Sequence, residues 1–403
     1  MLFKKPFLNN PSEIFFRSKE QIERYHNKKL NKLKDVFNLP NLQYHWTASH
    51  KPIYSNIPHI DLKTSGTTTG AVKYYRYSNN SYYLIEYYHM KRLMFFNGIE
   101  NGTFARLIQP QNHTEKLGLE TKPIIDRATG GNVTYHIKYN GEQDENFWIQ
   151  NFIALDGLGI SVLYCRPAEY ELFRSILPKI GERKYHIMFS SEILPPHVRA
   201  NAKKWFISVI DKMRCWDGGF SFFECRYGTK HVNDELAIVE SLEDGKIIST
   251  DLFNHSQLFY KYWNGDYGKL SMRECDCGLF GTVLDELQGR QIEFIVTDNG
   301  SLIPGTVLIN YIFGITEKWD QNQGLDFYIE QHENKDIDLH FSQPLSPDQA
   351  HEIISMILRV AASHDPKPLK IMFVFDNKYN HFTGLHRSKR LLTTSKALKP
   401  KDS

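Results

Sequence analysis

The stretch KTSGTTTGAVKYYRYS, Lys63 to Ser78, holds four threonines, two serines and two glycines, with Lys73 leading into a tyrosine-rich run. Glycine lets a backbone approach a ligand closely. Successive backbone N–H groups can form an anion nest, hydroxyls add donors for phosphate oxygens, and a lysine supplies point charge. The GxxxxGK[ST] spacing of a Walker A loop is absent. From the residues alone, a phosphate cradle and a polar hairpin turn both fit.

What surrounds the stretch decides the class of fold. VKYYRYS reads as a strand, SYYLIEYYHMKRLMFFNG as a helix ending at Gly98, and TFARLIQP as another strand. GISVLYC, AEYELFRSILPKI, YHIMFSS and PPHVRANAKKWFISVI continue as strand, helix, strand and helix. Strands separated by helices of this length predict an α/β domain with a largely parallel sheet. Upstream, PSEIFFRSKEQIERYHNKKLNKLKDVF has helical spacing, and Asn38 to Ile60 reads as a connecting segment. After about residue 215 the texture turns to short strands and turns. The closing GLDFYIEQHENKDIDLHFS, SPDQAHEIISMILRVAA and LKIMFVFD give strand, strand, helix and strand, enough for a small α+β domain. Two unequal domains are expected, 1–292 and 293–403, meeting near Arg290 to Ile295.

Composition sets outer bounds. The chain has 403 residues, 41% hydrophobic and 24% charged, a globular balance whose length favours two cores over one. A net charge of +3 is too small to argue for nucleic acid as a partner, and the lysine-rich ends read as solvated faces. No secretory signal layout and no membrane-length apolar run is seen. A cytoplasmic location is expected, with the sequons at Asn101, Asn112 and Asn132 as chance matches. The tyrosines and phenylalanines between Tyr74 and Phe96 suit either a helix core or an aromatic-acid pocket.

TSGTTTGAVK resembles the phosphate loop of the adenylate-forming superfamily, the acyl-CoA synthetases and adenylation domains. Its texture is most similar to the phenylacetate-CoA ligase-like branch. Thr69 and Val72 depart from the family's spelling. Later blocks follow in the family's order. FFNGIENGTFARLI looks like the segment before a strand, and KYHIMFSSEILPP is similar to the strand that ends in an acidic motif, which implies Glu192 near the pocket. DKMRCWDGG stands where the family has Tyr-Gly-x-Thr-Glu, with Asp217 in the magnesium-holding role and Met213 in place of the adenine-stacking tyrosine. Trp216 offers a flat surface or plain core. KYWNGDYGKL resembles the Tyr-Arg-Thr-Gly-Asp block, giving Asp266 to the ribose hydroxyls, though NGDYG by itself also suits a tight turn. LQGRQIEFIV resembles the hinge, with Arg290 on the nucleotide and Glu293 at the pivot.

The resemblance implies a large N-terminal adenylate-forming domain, with parallel-sheet layers and a β-rich subdomain, and a small mobile α+β C-terminal lid. It implies ATP and Mg2+, with Thr64, Ser65, Gly66, Thr67, Thr68, Thr69, Gly70 and Lys73 around the β/γ-phosphates. A carboxylic acid, aryl or acyl, would be adenylated and passed to coenzyme A. An amine acceptor and a catalytically weak nucleotide-binding protein are the alternatives. Thr68 and Asp217 would act with Mg2+. Lys389, in GLHRSKRLLTTSK, is the nearest match to the lid lysine that reaches the reacting carboxylate. A second copy of the chain is a candidate partner.

Five cysteines make a poor disulfide framework. Cys225, His231, Cys275 and Cys277 instead supply the sulfur and nitrogen donors of structural zinc, although C-x-C departs from finger spacing. Members of the phenylacetate-ligase branch carry a similar set, which implies a closed structural Zn2+ site. Buried thiols beside a surface histidine are the other reading. Cys165 and Cys215 read as core.

Overall fold

The computed structural model describes residues 18–37, 53–54, 56–63, 74–100, 102–108, 116–139, 143–191, 196–215, 219–290, 294–299, 302–304, 327–332, 334–341, 344–362, 369–375 and 391–393, with single positions between them. The chain opens with helix α1, Lys19–Phe37, whose Ile22, Leu30, Leu33 and Phe37 are buried at helical spacing. Strand β1, Ile53–Tyr54, precedes the antiparallel hairpin of β2, His59–Lys63, and β3, Tyr74–Ser78. Helix α2, Asn79–Phe96, follows at once.

Next come β4 (Thr103–Ile108), β5 (Gly118–Leu119), β6 (Ile124–Asp126) and β7 (Asn132–Lys138), then α3 (Glu145–Asp156) and β8 (Val162–Cys165). Helices α4 (Pro167–Phe173) and α5 (Leu177–Ile180) lead to β9 (His186–Ser190), α6 (Pro196–Ala202) and β10 (Val209–Cys215). Strands β7, β4, β8, β9 and β10 are mutually parallel in that lateral order. Their two faces are apolar, as a doubly covered parallel sheet requires. One face packs Phe104, Val162, Met188 and Ile210 on Met90, Leu93 and Met94 of α2. The other packs Ala105, Leu163, Ile187 and Phe189 on Trp148 and Phe152 of α3 and Tyr170 and Phe173 of α4.

The expected helix PPHVRANAKKWFISVI is shorter than its apolar spacing suggests. It ends at Ala202, and the chain enters β10 at Val209. β-branched Val209 and Ile210 pair beside Ile187 and Met188 of β9, where burial on a sheet outweighs helical spacing.

From β10 the sheet turns antiparallel through β11 (Phe220–Glu224), β12 (Lys230–Val232), β13 (Ala237–Ser241), β14 (Lys246–Asp251), β15 (Gln257–Leu258), β16 (Tyr262–Glu274) and β17 (Phe280–Arg290). Apart from β15, which pairs with β1, these extend the same sheet in the order β13-β14-β16-β17-β12-β11-β10. The β-rich half is thus continuous with the parallel half. It closes on its own core of Cys215, Phe220, Phe222, Val232, Val239, Ile247 and Leu284.

The last elements are β18 (Phe294–Val296), β19 (Leu302–Pro304), β20 (Phe327–Gln331), β21 (Ile337–Phe341), α7 (Pro347–Ala362), β22 (Ile371–Phe375) and β23 (Leu391–Thr393). The order β22-β21-β20-β23 makes a small sheet. Its Phe327, Ile329, Leu339 and Phe341 join Ile353, Met356 and Ile357 of α7 in a core drawn from residues 295–369. Among the described residues, no helix is long and apolar enough to cross a membrane.

Candidate functional site

The Gly/Thr loop, Thr64 to Lys73, lies outside the described residues, and the hairpin at its root lies within them. Lys63 pairs with Tyr74 across the β2–β3 hairpin, so the two ends of the loop are cross-strand neighbours. Among the described residues, β2 is the strand that pairs with β3 in that sheet. Side chains satisfy the other edge of β3, as buried backbone groups demand. Arg76 N donates to Gln257 Oε1 at 2.7 Å, Ser78 N to Asn254 Oδ1 at 3.2 Å, and Asn254 Nδ2 to Arg76 O at 2.7 Å. Asp251 Oδ1 in turn accepts from the amides of Phe253 (2.8 Å) and Asn254 (3.0 Å), shaping the turn that presents Asn254. Buried Tyr77 stacks on Phe259 from the same segment. The segment 251–259 therefore clamps the root of the loop and runs directly into β16.

Asp266 sits on β16 with 1% of its surface exposed. Cys215 Sγ donates to its Oδ2 at 3.1 Å, and Trp263 Nε1 donates to its main-chain oxygen at 3.1 Å. Asp266 pairs with Arg290 across β16–β17, so two expected ribose residues are lateral neighbours in backbone register. Asp217 belongs to the connection between β10 and β11, which closes on the pair Cys215↔Phe220. Glu192 follows β9, whose last residue, Ser190, pairs with Lys212 of β10. Asp217, Trp216, Glu192, Glu293 and Lys389 themselves lie outside the described residues. Met213, in the expected tyrosine's place, packs against the core of the β-rich half.

Ligands of open α/β sheets gather at the carboxyl ends of parallel strands. There the structure holds a buried ionic group that the sequence reading missed. Glu86 of α2 lies 3.0 Å from Arg214 Nε and 3.2 Å from Lys212 Nζ. Burial alone would raise the Glu86 carboxyl, but Arg214 and Lys212 override it and hold it low. One turn along α2, His89 Nδ1 faces Asn233 Nδ2 at 2.8 Å and Ser221 Oγ at 3.0 Å. Burial, then the charges of Lys212, Arg214 and Arg92, push this histidine well below its usual range, so it is neutral. Arg92 pairs with Glu235, which also accepts from Tyr88 Oη. Tyr88 and Phe96 are buried on α2. The spacing of Glu86, His89 and Arg92, three residues apart and so on one side of α2, was the available signal.

The four expected metal ligands come together. The ligand atoms of Cys225, His231, Cys275 and Cys277 all lie within 4.8 Å of one another. Each cysteine segment is a tight turn of the same build. Gly228 N donates to Cys225 O at 2.8 Å and Cys225 N to Thr229 O at 2.9 Å; Gly278 N donates to Cys275 O at 2.8 Å and Cys275 N to Leu279 O at 3.0 Å. Both glycines have left-handed backbones, φ +78° and +85°, where a side chain would be strained. Cys225 Sγ lies 3.9 Å from Cys275 Sγ, and Cys277 Sγ lies 3.5 Å from His231 Nε2. Zinc bond lengths set a tetrahedron with S···S edges of about 3.8 Å and S···N edges of about 3.6 Å, so the donor set fits a zinc ion. The hydrogen bond from Cys277, helped by His231 and the amides of Tyr227 and Thr229, pulls the Cys225 thiol down to about 3 against burial. The same bond raises Cys277. Four protein donors would fill the tetrahedral coordination of such an ion.

No family model matches the sequence, and no curated protein matches it. Solved structures do. A structure of 2-hydroxyisobutyryl-CoA ligase in the postadenylation state with R3-HIB-AMP aligns over 91% of this chain and 78% of its own, with 12% identity and a TM-score of 0.56. A second, with 2-HIB-AMP, aligns over 94% and 85%, with 13% identity and a TM-score of 0.54. At such identities the likeness is one of fold. The mixed α/β architecture matches that of adenylate-forming enzymes.

Proposed function

We propose that this chain is an ATP-dependent ligase that adenylates a carboxylic acid and transfers the acyl group to coenzyme A. The acid's carboxylate oxygen attacks the α-phosphorus and pyrophosphate leaves with the electron pair of the P–O bond. The acceptor thiolate then attacks the acyl carbon, and AMP departs. Neither half requires covalent attachment to the protein, so catalysis is a matter of positioning and charge neutralisation. One observation carries the reading. Within the fold of adenylate-forming enzymes, the clamp at Asn254 and Gln257 joins the root of the Thr64–Lys73 loop to the strand of Asp266. That arrangement suits a loop that holds phosphates and a carboxylate that accepts from the ribose.

In this reading Asp266 and Arg290 fix the ribose and Glu192 borders the pocket. Lys389 reaches the reacting carboxylate from a lid formed by 293–403, a division supported by the separate core of residues 295–369. Magnesium held by Asp217 and Thr68 would offset phosphate charge. The Cys225, His231, Cys275 and Cys277 set supports a structural zinc and, with it, the phenylacetate-CoA ligase-like branch.

Pyrophosphate exchange into ATP across a panel of aryl and acyl acids tests the first half. Exchange with at least one acid is expected, and ATP binding without exchange for any acid would remove the activity. AMP release in the presence of coenzyme A or of amines then identifies the acceptor. Lys73→Ala and Asp266→Ala should each weaken ATP binding by about tenfold or more, and unchanged affinity in both would sink the nucleotide assignment.

A further inference from the structure

Cys215 is the last residue of β10, at the foot of the connection that carries Asp217. It reads from sequence as a core thiol, yet its Sγ lies 3.1 Å from Oδ2 of Asp266. Each of the two residues is 1% exposed. In the sheet, β10 and β16 are separated by β11, β12 and β17, so the contact crosses the interior of the curled antiparallel half rather than a strand-to-strand ladder. It links the two segments on which the nucleotide reading depends.

A carboxylate that serves two neighbouring hydroxyls must have its plane fixed before they arrive. The main chain at Asp266 is already set by the Trp263 indole bond and by Gly265, whose φ of +101° admits the irregular β14–β16 register there. The torsion that swings the carboxyl group has to be held by bonds to its oxygens. A thiol hydrogen on Oδ2 is one such bond, and a carboxylate accepts several donors at once. Sulfur is also apolar enough to sit among Phe220, Phe222 and Val239 with little desolvation cost.

We propose that Cys215 is a positioning residue for Asp266, its thiol orienting the carboxylate toward the 2′ and 3′ hydroxyls of the bound nucleotide. This rests on the ribose role of Asp266 proposed above. The test is calorimetric binding of ATP and of 2′-deoxy-ATP to the full chain and to its Cys215→Ala, Cys215→Ser and Asp266→Asn variants. Wild type is expected to prefer ATP, and Asp266→Asn to erase that preference. Cys215→Ala should bind ATP about fivefold more weakly and narrow the preference for the 2′ hydroxyl. Cys215→Ser should return to within about twofold of wild type, because a hydroxyl donates where a methyl cannot. If the alanine variant does not fold, Cys215→Val, close in volume and without a donor, replaces it with the same expectation. Wild-type ATP binding in the non-donating variant overturns the proposal. So does a serine variant as weak as the non-donating one, since a packing role gains nothing from the hydroxyl. Undiminished ATP binding by Asp266→Asn would instead overturn the ribose role itself, leaving the two failures distinct.

Discussion

The carboxyl of Asp251 is fully buried, and burial pushes it up to about 7 against the pull of two backbone amides and Arg214. An ordinary aspartate titrates near 3.8. Between about pH 4 and pH 7 the folded chain therefore holds a proton that the unfolded chain has released. This group's contribution to stability is greatest below that window, falls as pH rises through it, and is constant above. Asp251→Asn keeps an Oδ1 acceptor for Phe253 and Asn254 and removes the titration. Near pH 4 the variant and wild type should melt together. Near pH 7.5 the variant should be more stable by roughly 1–4 kcal/mol, measured as the difference between their urea midpoints across pH. A difference that does not change with pH would show that Asp251 is ionised in the fold throughout. A second residue-scale test concerns Glu235, which Arg92 and Tyr88 hold in the core. Arg92→Met leaves that carboxylate without its cation and should cost about 3–5 kcal/mol. Adding Glu235→Gln should recover part of the loss, and a double variant no better than the single one would deny the coupling.

Among the described elements, β3 takes part of its order from side chains. Asn254 supplies an acceptor to Ser78 N and a donor to Arg76 O. Asn254→Ala should therefore cost about 1–3 kcal/mol and, through the hairpin root, weaken ATP binding. Hydrogen exchange at Arg76 and Ser78 reads the local loosening, and unchanged protection there would show that the clamp is not what orders β3. The elements show how far the sequence reaches. Helices and strands were legible from α2 to β4 and from β8 to β9, where the helices bury a periodic face and the strands are apolar on both faces; β7 and α3, which lie between, were not read. The limits of α6 were not, because WFISVI keeps an apolar spacing while its β-branched end belongs to β10. The Cys/His cluster was legible from residue type, and Gly228 and Gly278, three residues beyond Cys225 and Cys275, mark the turns that aim the two cysteines. Glu86 and its partners were not. A single carboxylate on a helix reads as solvent-facing, and Lys212 lies 126 residues away in the chain. Asp266 was legible as a ribose candidate; its contact with Cys215 was not, since nothing in sequence brings β10 across to β16.

At the scale of the molecule, residues 231–235 are where the parts meet. His231 faces the metal-ligand set and stacks on Phe96 at the end of α2. Asn233 bonds His89 and Ser221, and Asp234 accepts from the amide of Thr282 on β17. His26 and Tyr25 of α1 reach the main-chain oxygens of Asp234 and Glu235. The end of α2 is tied to the first cysteine turn as well, through Arg226 N to Phe96 O at 3.2 Å and Asn97 Nδ2 to Glu224 O at 2.8 Å. α2 begins where β3 ends, so the cysteine turns and the β2–β3 hairpin hold opposite ends of one helix. Removing the metal should therefore act at a distance. A strong chelator is expected to lower the melting temperature by on the order of 10 °C, as the loss of a structural ion worth several kcal/mol implies. It should also weaken ATP binding several-fold while the loop's own residues are untouched, and added zinc should restore both. Cys277→Ser should reproduce the chelated state without chelator. Purified protein, never exposed to chelator, should carry about one zinc per chain by elemental analysis, and a value near zero would remove the site. Zinc present, but with ATP affinity indifferent to its removal, would keep the site and sever its link to the nucleotide through α2.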